Sequence, residues 1–291
     1  MKAAGIVILA GGVSSRMREA VAVSEVEERL LREADERPKG MLGVGPGGRP
    51  FLDYLLYNVR SAGITDVVIV VGEQDRSVRE RYGQKDRGNE FHGLRISYAV
   101  QRIPEGRTKP LGTADAVLTA MRIKEEWRGR SFVVCNSDNL YSTTALRAMH
   151  HTDALGALIE YDREGLGLDR ARVDTYATVV TGADGFVKEI VEKPSTEVLS
   201  RILKDHPTSG VSMNIYRLPF DLIEPILESM PMHPERGEKE LPTAVGMLVR
   251  KDPTCLVAVR RTEPVPDLTR RTDIAAVQKS LRETFGEFDW N

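Results

Sequence analysis

Hydrophobic positions follow two rhythms along this chain. Ala3–Leu9, Asp66–Val71, Leu94–Val100 and Phe132–Cys135 are rich in Val and Ile and apolar at consecutive positions. That is the pattern of strands covered on both faces. Between them, Phe51–Ala62, Ser77–Tyr82 and Thr113–Trp127 place apolar residues at helical spacing. The alternation predicts an α/β fold: a mixed, mostly parallel central sheet with helices on both sides.

The second half changes character. Leu155–Tyr161, Tyr176–Val180, Phe186–Val191 and Val211–Arg217 read as strands with shorter connections, and Gly182-Ala183-Asp184-Gly185 as a hairpin turn between two of them. Helices are expected at Thr196–Lys204, Phe220–Ser229, Glu240–Arg250 and Thr272–Glu283, with a last strand at Cys255–Val259. We read 1–291 as a single domain, with an N-terminal half (about 1–150) and a C-terminal half (about 151–291). Residues 18–37 form a charged insert with a helical centre, VSEVEERLLREADE. It reads either as a solvated surface helix or as a lid.

Charge narrows the partners. Lys and Arg number 41 against 43 Asp and Glu, a net charge of −2, which argues against a nucleic-acid partner. No segment approaches the roughly 18–20 apolar residues of a membrane span. The start, MKAAGIVILAGG, runs straight into Gly11-Gly12 without a cleavage pattern, so it reads as a strand rather than a secretory signal. Cys135 and Cys255 stand in the apolar runs VVCN and TCLVAV. They are expected as buried small hydrophobes in a reducing, cytoplasmic setting. The five histidines show no metal spacing and are expected at helix ends or on the surface.

Candidate chemistry begins where the first strand ends. Leu9-Ala10-Gly11-Gly12 is followed by Val13-Ser14-Ser15-Arg16-Met17. Paired glycines after a strand let several N–H groups point one way, as an anion nest for a polyphosphate does. Arg16 adds a permanently charged fork. No GxxxxGK[ST] occurs, so this is not a Walker loop. Downstream, Arg37-Pro38-Lys39-Gly40-Met41-Leu42 holds a lysine directly after a proline that fixes the chain's direction.

LAGG-x-x-SRM, PK-x-ML and GRPFLDYLL followed by AGI-x-DVVIVVG together resemble the sugar-1-phosphate nucleotidylyltransferases. The likeness continues through Leu111-Gly112-Thr113-Ala114-Asp115-Ala116-Val117 with Gln101 before it, Asn136-Ser137-Asp138-Asn139, Ile190-Val191-Glu192-Lys193-Pro194, Val211-Ser212-Met213-Asn214 and Asp267-Leu268-Thr269. These motifs keep the family's order from residue 4 to about 283.

The resemblance implies a Rossmann-like three-layer sandwich of the nucleotide-diphospho-sugar transferase type. It implies Mg²⁺-dependent transfer of a nucleoside monophosphate from an NTP to a sugar 1-phosphate, with release of pyrophosphate. In that reading Arg16 and Lys39 are catalytic, serving the triphosphate. Leu9, Ala10, Gly11, Gly12, Gln101, Gly112 and Thr113 meet the nucleotide. Asn139, Glu192, Lys193, Ser212 and Asn214 meet the sugar phosphate, and Asp138 and Asp267 hold Mg²⁺. Members of the family commonly form homo-oligomers, though no interface signature stands out in this sequence.

Simpler readings stand beside these. Asp138 is also placed to cap the expected Ser142–His150 helix, Gln101 to be a plain strand-end glutamine, and Ser212 and Asn214 to be ordinary polar strand residues. The chain departs from the family pattern at Ala177, where Tyr-Gly is usual, at Asn136-Ser137, and at Val265-Pro266 before Asp267. Alternative functions are a cytidylyl- or guanylyltransferase for a non-sugar phosphate, or a catalytically inactive nucleotide-sugar-binding regulator. No acyltransferase-like repeat follows the last motif, so no second activity is expected in this sequence.

Overall fold

The structure is a computed structural model that describes residues 2–12, 17, 26–287 and 289–290. Its centre is one mixed eleven-stranded sheet, β1 Ile6–Leu9, β2 Asp66–Gly72, β3 Asn89–Phe91, β4 Leu94–Gln101, β5 Ser131–Asn136, β6 Gly156–Tyr161, β7 Ala177–Thr181, β8 Val187–Val191, β9 Val211–Ser212, β10 Tyr216–Pro219 and β11 Leu256–Arg261. The order is β3-β4-β2-β1-β5-β10-β6-β9-β7-β8, with β11 paired to β6. Strands β4, β2, β1 and β5 run parallel to one another, β10 runs antiparallel to β5 and β6, and β7–β9 extend the sheet by antiparallel pairing.

The consecutive apolar residues of the first strands alternate between two cores. Ile6, Ile8, Val67, Ile69, Val133 and Cys135 face one, while Val7, Val68, Val70, Phe132 and Val134 face the other. Helices α2 (Phe51–Ser61), α5 (Thr143–His151) and α10 (Ile274–Phe285) cover the first face, and α4 (Thr113–Ile123), α8 (Phe220–Ser229) and α9 (Leu241–Lys251) the second. Each fully buried Val or Ile stabilises this three-layer arrangement by about 1.5–3 kcal/mol. The remaining helices are α1 (Glu28–Glu36), α3 (Ser77–Tyr82), α6 (Arg170–Val173) and α7 (Thr196–Asp205). Cys135 and Cys255 are free and buried, as expected. No helix of the described residues is long and apolar enough to cross a membrane.

Three expectations needed correction. The helix Thr113–Trp127 stops at Ile123, because Lys124 leaves helical geometry and a short 3₁₀ turn follows at Glu125–Trp127. Lys124 turns inward, and its Nζ lies 2.8 and 3.0 Å from the two Asp66 carboxylate oxygens. The three-residue strand β3 was not anticipated. It pairs with β4 through His92-Gly93, both with positive φ, as a tight hairpin turn requires.

The third correction shapes the site. Val211–Arg217 is not one strand but β9 and β10. Both lie antiparallel to β6, with Val211 opposite Tyr161 and Tyr216 opposite Leu158. Five steps along this segment thus match three along β6, and the surplus is thrown out as a bulge at Met213–Ile215. Asn214 takes up the bend at φ 58°.

The insert is described from Val26 onward. Its helix α1 is anchored rather than free in solvent. Leu30 and Ala34 are buried in the core, and Glu33 accepts hydrogen bonds from Arg29 and the Gly43 amide. Residues 18–25 lie outside the described residues. His150 lies in the last turn of α5, as expected, and is buried.

Candidate active site

Open α/β sheets bind ligands beyond the carboxyl ends of their parallel strands. Leu9 and Asn136 are paired partners at the ends of β1 and β5, and Gln101 ends β4. Past these ends lies a cavity of about 550 Å³. Leu9, Gly11 and Gly12 line it after β1, and a Cβ on Gly12 would meet nothing within 4 Å. Ala10 is buried instead, with its amide donating to the Val70 carbonyl at 2.9 Å. Arg16 lies outside the described residues.

The cationic and acidic centre is assembled from three distant segments. Lys39 opens a 3₁₀ turn, Lys39–Met41, directly after Pro38. Gly40 lets this turn pack on the end of β5, since a Cβ there would stand 3.2 Å from the Ser137 carbonyl oxygen. Lys39 Nζ then donates to Asp138 Oδ2 at 2.8 Å. Asp138 does not cap the following helix; Ser142 does, accepting from the Ala145 amide at 3.0 Å.

Asp267 reaches the same cavity through a strand-like crossing. Asn139 and Asp267 form an antiparallel bridge, flanked by Leu268 N to Asp138 O at 2.8 Å and Leu140 N to Pro266 O at 2.9 Å. Burial raises the pKa of Asp267, and the nearby Asp138 charge raises it further; Arg172, Thr269 and Tyr176 oppose both. Two carboxylates brought together in a partly buried site, beside hydroxyl and carbonyl oxygens, are donors of the kind a hard divalent cation takes. Among the described residues no group of three or more His, Cys, Asp or Glu gathers to hold a metal. Two protein carboxylates suit an ion such as Mg²⁺, which usually keeps waters and substrate phosphates for its other positions.

On one side of this centre, Gln101, Gly112 and Thr113 line the cavity. The Gln101 amide nitrogen is held by the Gly112 carbonyl at 2.9 Å and Asp115 Oδ2 at 2.8 Å, which fixes the orientation of its carboxamide. Gly112 has φ 108°, and a Cβ would stand 2.6 Å from the Lys239 carbonyl oxygen. The backbone of Lys239 straps this segment, donating to Leu111 O at 2.6 Å and accepting from Ala114 N at 2.9 Å.

On the other side stand Asn139, Glu192, Lys193, Ser212 and Asn214. Burial raises the pKa of Glu192, opposed by the Lys193 charge and reinforced by Glu240. Lys193 sits at φ 46° and extends toward Glu240 Oε1 at 3.4 Å. Two non-glycine residues with left-handed backbones, Lys193 and Asn214, therefore border one cavity, and such strain concentrates at functional sites. Ser212 and Asn214 are linked through Tyr216: Ser212 Oγ donates to the Tyr216 hydroxyl at 2.9 Å, and that hydroxyl donates to Asn214 Oδ1 at 3.2 Å.

The cavity wall further includes Lys109, Glu238, Glu240, Tyr176 and Arg270. None was singled out from the sequence for a contact of its own. Behind the wall, Arg172 of α6 donates to Asp267 Oδ2 at 2.8 Å and to Asp273 at 2.5 and 3.0 Å. No local signal marks this role, because its two carboxylate partners lie 95 and 101 residues away.

Comparison with known proteins follows this geometry. A family model described as nucleotidyl transferase matches residues 28–258. The bifunctional protein GlmU of Geotalea uraniireducens (strain Rf4) is 30% identical over 160 residues, covering 54% of this chain and 31% of that protein. The D-glycero-alpha-D-manno-heptose 1-phosphate guanylyltransferase of Aneurinibacillus thermoaerophilus is 27% identical over 173 residues, covering 56% of this chain and 62% of its own. This chain thus spans less than two thirds of the length of either curated relative. Among solved structures, a UDP-glucose pyrophosphorylase complexed with UDP-glucose superposes with a TM-score of 0.69 at 18% identity, covering 96% of this chain and 98% of that one. That last likeness speaks to the fold.

Proposed function

The chain belongs to the nucleotidyl transferase family, and from that premise we propose that it joins a nucleoside triphosphate to a sugar 1-phosphate. A phosphate oxygen of the acceptor attacks the α-phosphorus, the bond from the α-phosphorus to the bridging oxygen breaks, and pyrophosphate leaves with that bond's electron pair. The products are an NDP-sugar and pyrophosphate.

The observation that carries this reading is the convergence of three segments on one cavity: the Gly11-Gly12 turn, the Lys39–Asp138–Asp267 centre, and Glu192-Lys193. Phosphoryl transfer asks chiefly for alignment and charge neutralisation. Lys39 neutralises the triphosphate, and Arg16 joins it. Lys193 meets the acceptor phosphate, while Glu192 and Asn214 accept from sugar hydroxyls. Gln101, Gly112 and Thr113 orient the base. Asp138 and Asp267 would hold Mg²⁺, which when bound supplies further positive charge to the phosphates. The name of one relative, a heptose 1-phosphate guanylyltransferase, supports a sugar phosphate as acceptor. A cytoplasmic location accords with the nucleotide substrates.

The test is pyrophosphate release from UTP, dTTP, GTP, ATP and CTP, each paired with a panel of sugar 1-phosphates. Release with one pair, dependent on Mg²⁺, is expected. A folded protein that releases none with any pair overturns the proposal.

A further inference from the structure

We propose that Arg172 is a positioning residue that holds Asp267 for its divalent cation, an inference that rests on the metal-binding reading of Asp267 given above. The guanidinium is a bridge between two carboxylates. One of its nitrogens, Nη2, donates to Asp267 Oδ2 at 2.8 Å and to Asp273 Oδ2 at 3.0 Å; the other, Nη1, donates to Asp273 Oδ1 at 2.5 Å.

Asp273 is itself immobilised. Its Oδ2 accepts from the Thr269 amide at 2.9 Å and the Arg270 amide at 2.6 Å. Arg172 therefore ties Asp267 to a rigid 3₁₀ turn, Arg271–Asp273, at the start of α10. The remaining partners complete the cradle. The Tyr176 hydroxyl donates to Asp267 Oδ2 at 2.7 Å and Thr269 Oγ1 to Oδ1 at 2.5 Å. The Arg172 Nε donates to the Tyr176 oxygen at 3.0 Å, so the same side chain also orients Tyr176.

Among the described residues Oδ2 thus takes two donors, whereas Oδ1 takes one and keeps a lone pair. The arrangement selects which oxygen Asp267 offers to a cation. The planar fork matters as well as the charge, because an ammonium cannot span both carboxylates in one plane. Outer-shell partners of metal ligands typically carry 10–100-fold in metal affinity or activity.

The experiment measures Mn²⁺ binding by electron paramagnetic resonance on the intact chain with a non-hydrolysable nucleoside triphosphate, alongside the Mg²⁺ concentration for half-maximal turnover. Arg172→Gln is expected to weaken Mn²⁺ binding 10–100-fold and raise the Mg²⁺ requirement in parallel, with the sugar-phosphate KM unchanged. Arg172→Lys should recover only part of the loss, and Tyr176→Phe should show a smaller one. Thermal unfolding identifies the variants that fold, and Tyr176→Phe carries the test if Arg172→Gln does not. Asp267→Asn separates the two readings. If it leaves Mn²⁺ binding intact, the metal role of Asp267 falls and this proposal with it. If it weakens binding while folded Arg172→Gln and Tyr176→Phe do not, only the positioning role is overturned.

Discussion

The ammonium of Lys39 rests 2.8 Å from Oδ2 of Asp138, across 99 residues of sequence. Each is only partly exposed, so the contact is shielded from solvent yet open to the cavity. A cation already paired to a carboxylate at the point where phosphates are expected is preorganised: little has to move when charge develops there.

Removing either partner tests this. Asp138→Ala and Lys39→Ala should each lower kcat by about 10²–10³-fold or more, in line with the loss of one electrostatic stabiliser. Thermal unfolding should confirm an intact fold. Retained turnover in folded Asp138→Ala rejects its proposed role.

Gly112 offers a separate handle on the nucleotide side. Its φ of 108° and the Lys239 carbonyl oxygen 2.6 Å from an added Cβ leave no room for alanine. Gly112→Ala should destabilise the protein by about 1–3 kcal/mol and raise the triphosphate KM, leaving the sugar-phosphate KM nearly unchanged. Urea unfolding and steady-state kinetics check the two halves of that expectation.

Lys124 and Asp66 form a buried pair far from the cavity, further held by the Trp127 indole nitrogen donating to Asp66 Oδ2 at 3.1 Å. Lys124→Met removes the buried cation and leaves Asp66 the Trp127 indole and a longer, 3.4 Å contact to the more exposed Arg95. It should cost about 1–3 kcal/mol of stability, measured by urea unfolding, with kcat per folded molecule unaltered.

His150 gives a pH signature to stability. Burial first, then the charges of His151, Lys2, Arg217 and Arg130, push its pKa down to about 4. The unfolded chain therefore binds a proton that the folded chain refuses between the ordinary histidine value of about 6.5 and about 4. The contribution of the neutral imidazole is intact above pH 6.5 and lost as pH falls through that window. His150→Gln should flatten the decline in unfolding free energy between pH 7 and pH 5 by on the order of 1 kcal/mol. An unchanged slope counts against it.

Much of the architecture was legible in the chain because it follows from local patterning. Strands β1, β2 and β5 are buried on both faces, so apolar residues, most of them Val or Ile, stand at consecutive positions and alternate between two cores. Helices α2, α8 and α9 present one apolar stripe each, and their expected bounds were met within two residues. The motif segments were also visible, since Gly11-Gly12, Lys39, Gln101, Asp138, Glu192-Lys193 and Asp267 carry distinctive residue types in order. Nothing in the order says that these segments meet; the cavity shows that they do.

What the sequence by itself determined was therefore most of the elements, the two-sided sheet and the residue types of the candidate site. The tertiary structure decided the rest, and the reason is physical. The break between β9 and β10 exists because Val211 and Tyr216 are claimed by two different places on β6. An apolar run such as VSMNIYR carries no trace of that competition. Lys124 leaves its helix because a carboxylate 58 residues earlier waits beneath it. Arg172 looks like any surface arginine of a short helix until the chain brings Asp267 and Asp273 to its two nitrogens. Periodicity reports which face of an element is buried; only the assembled fold decides which partners are found there.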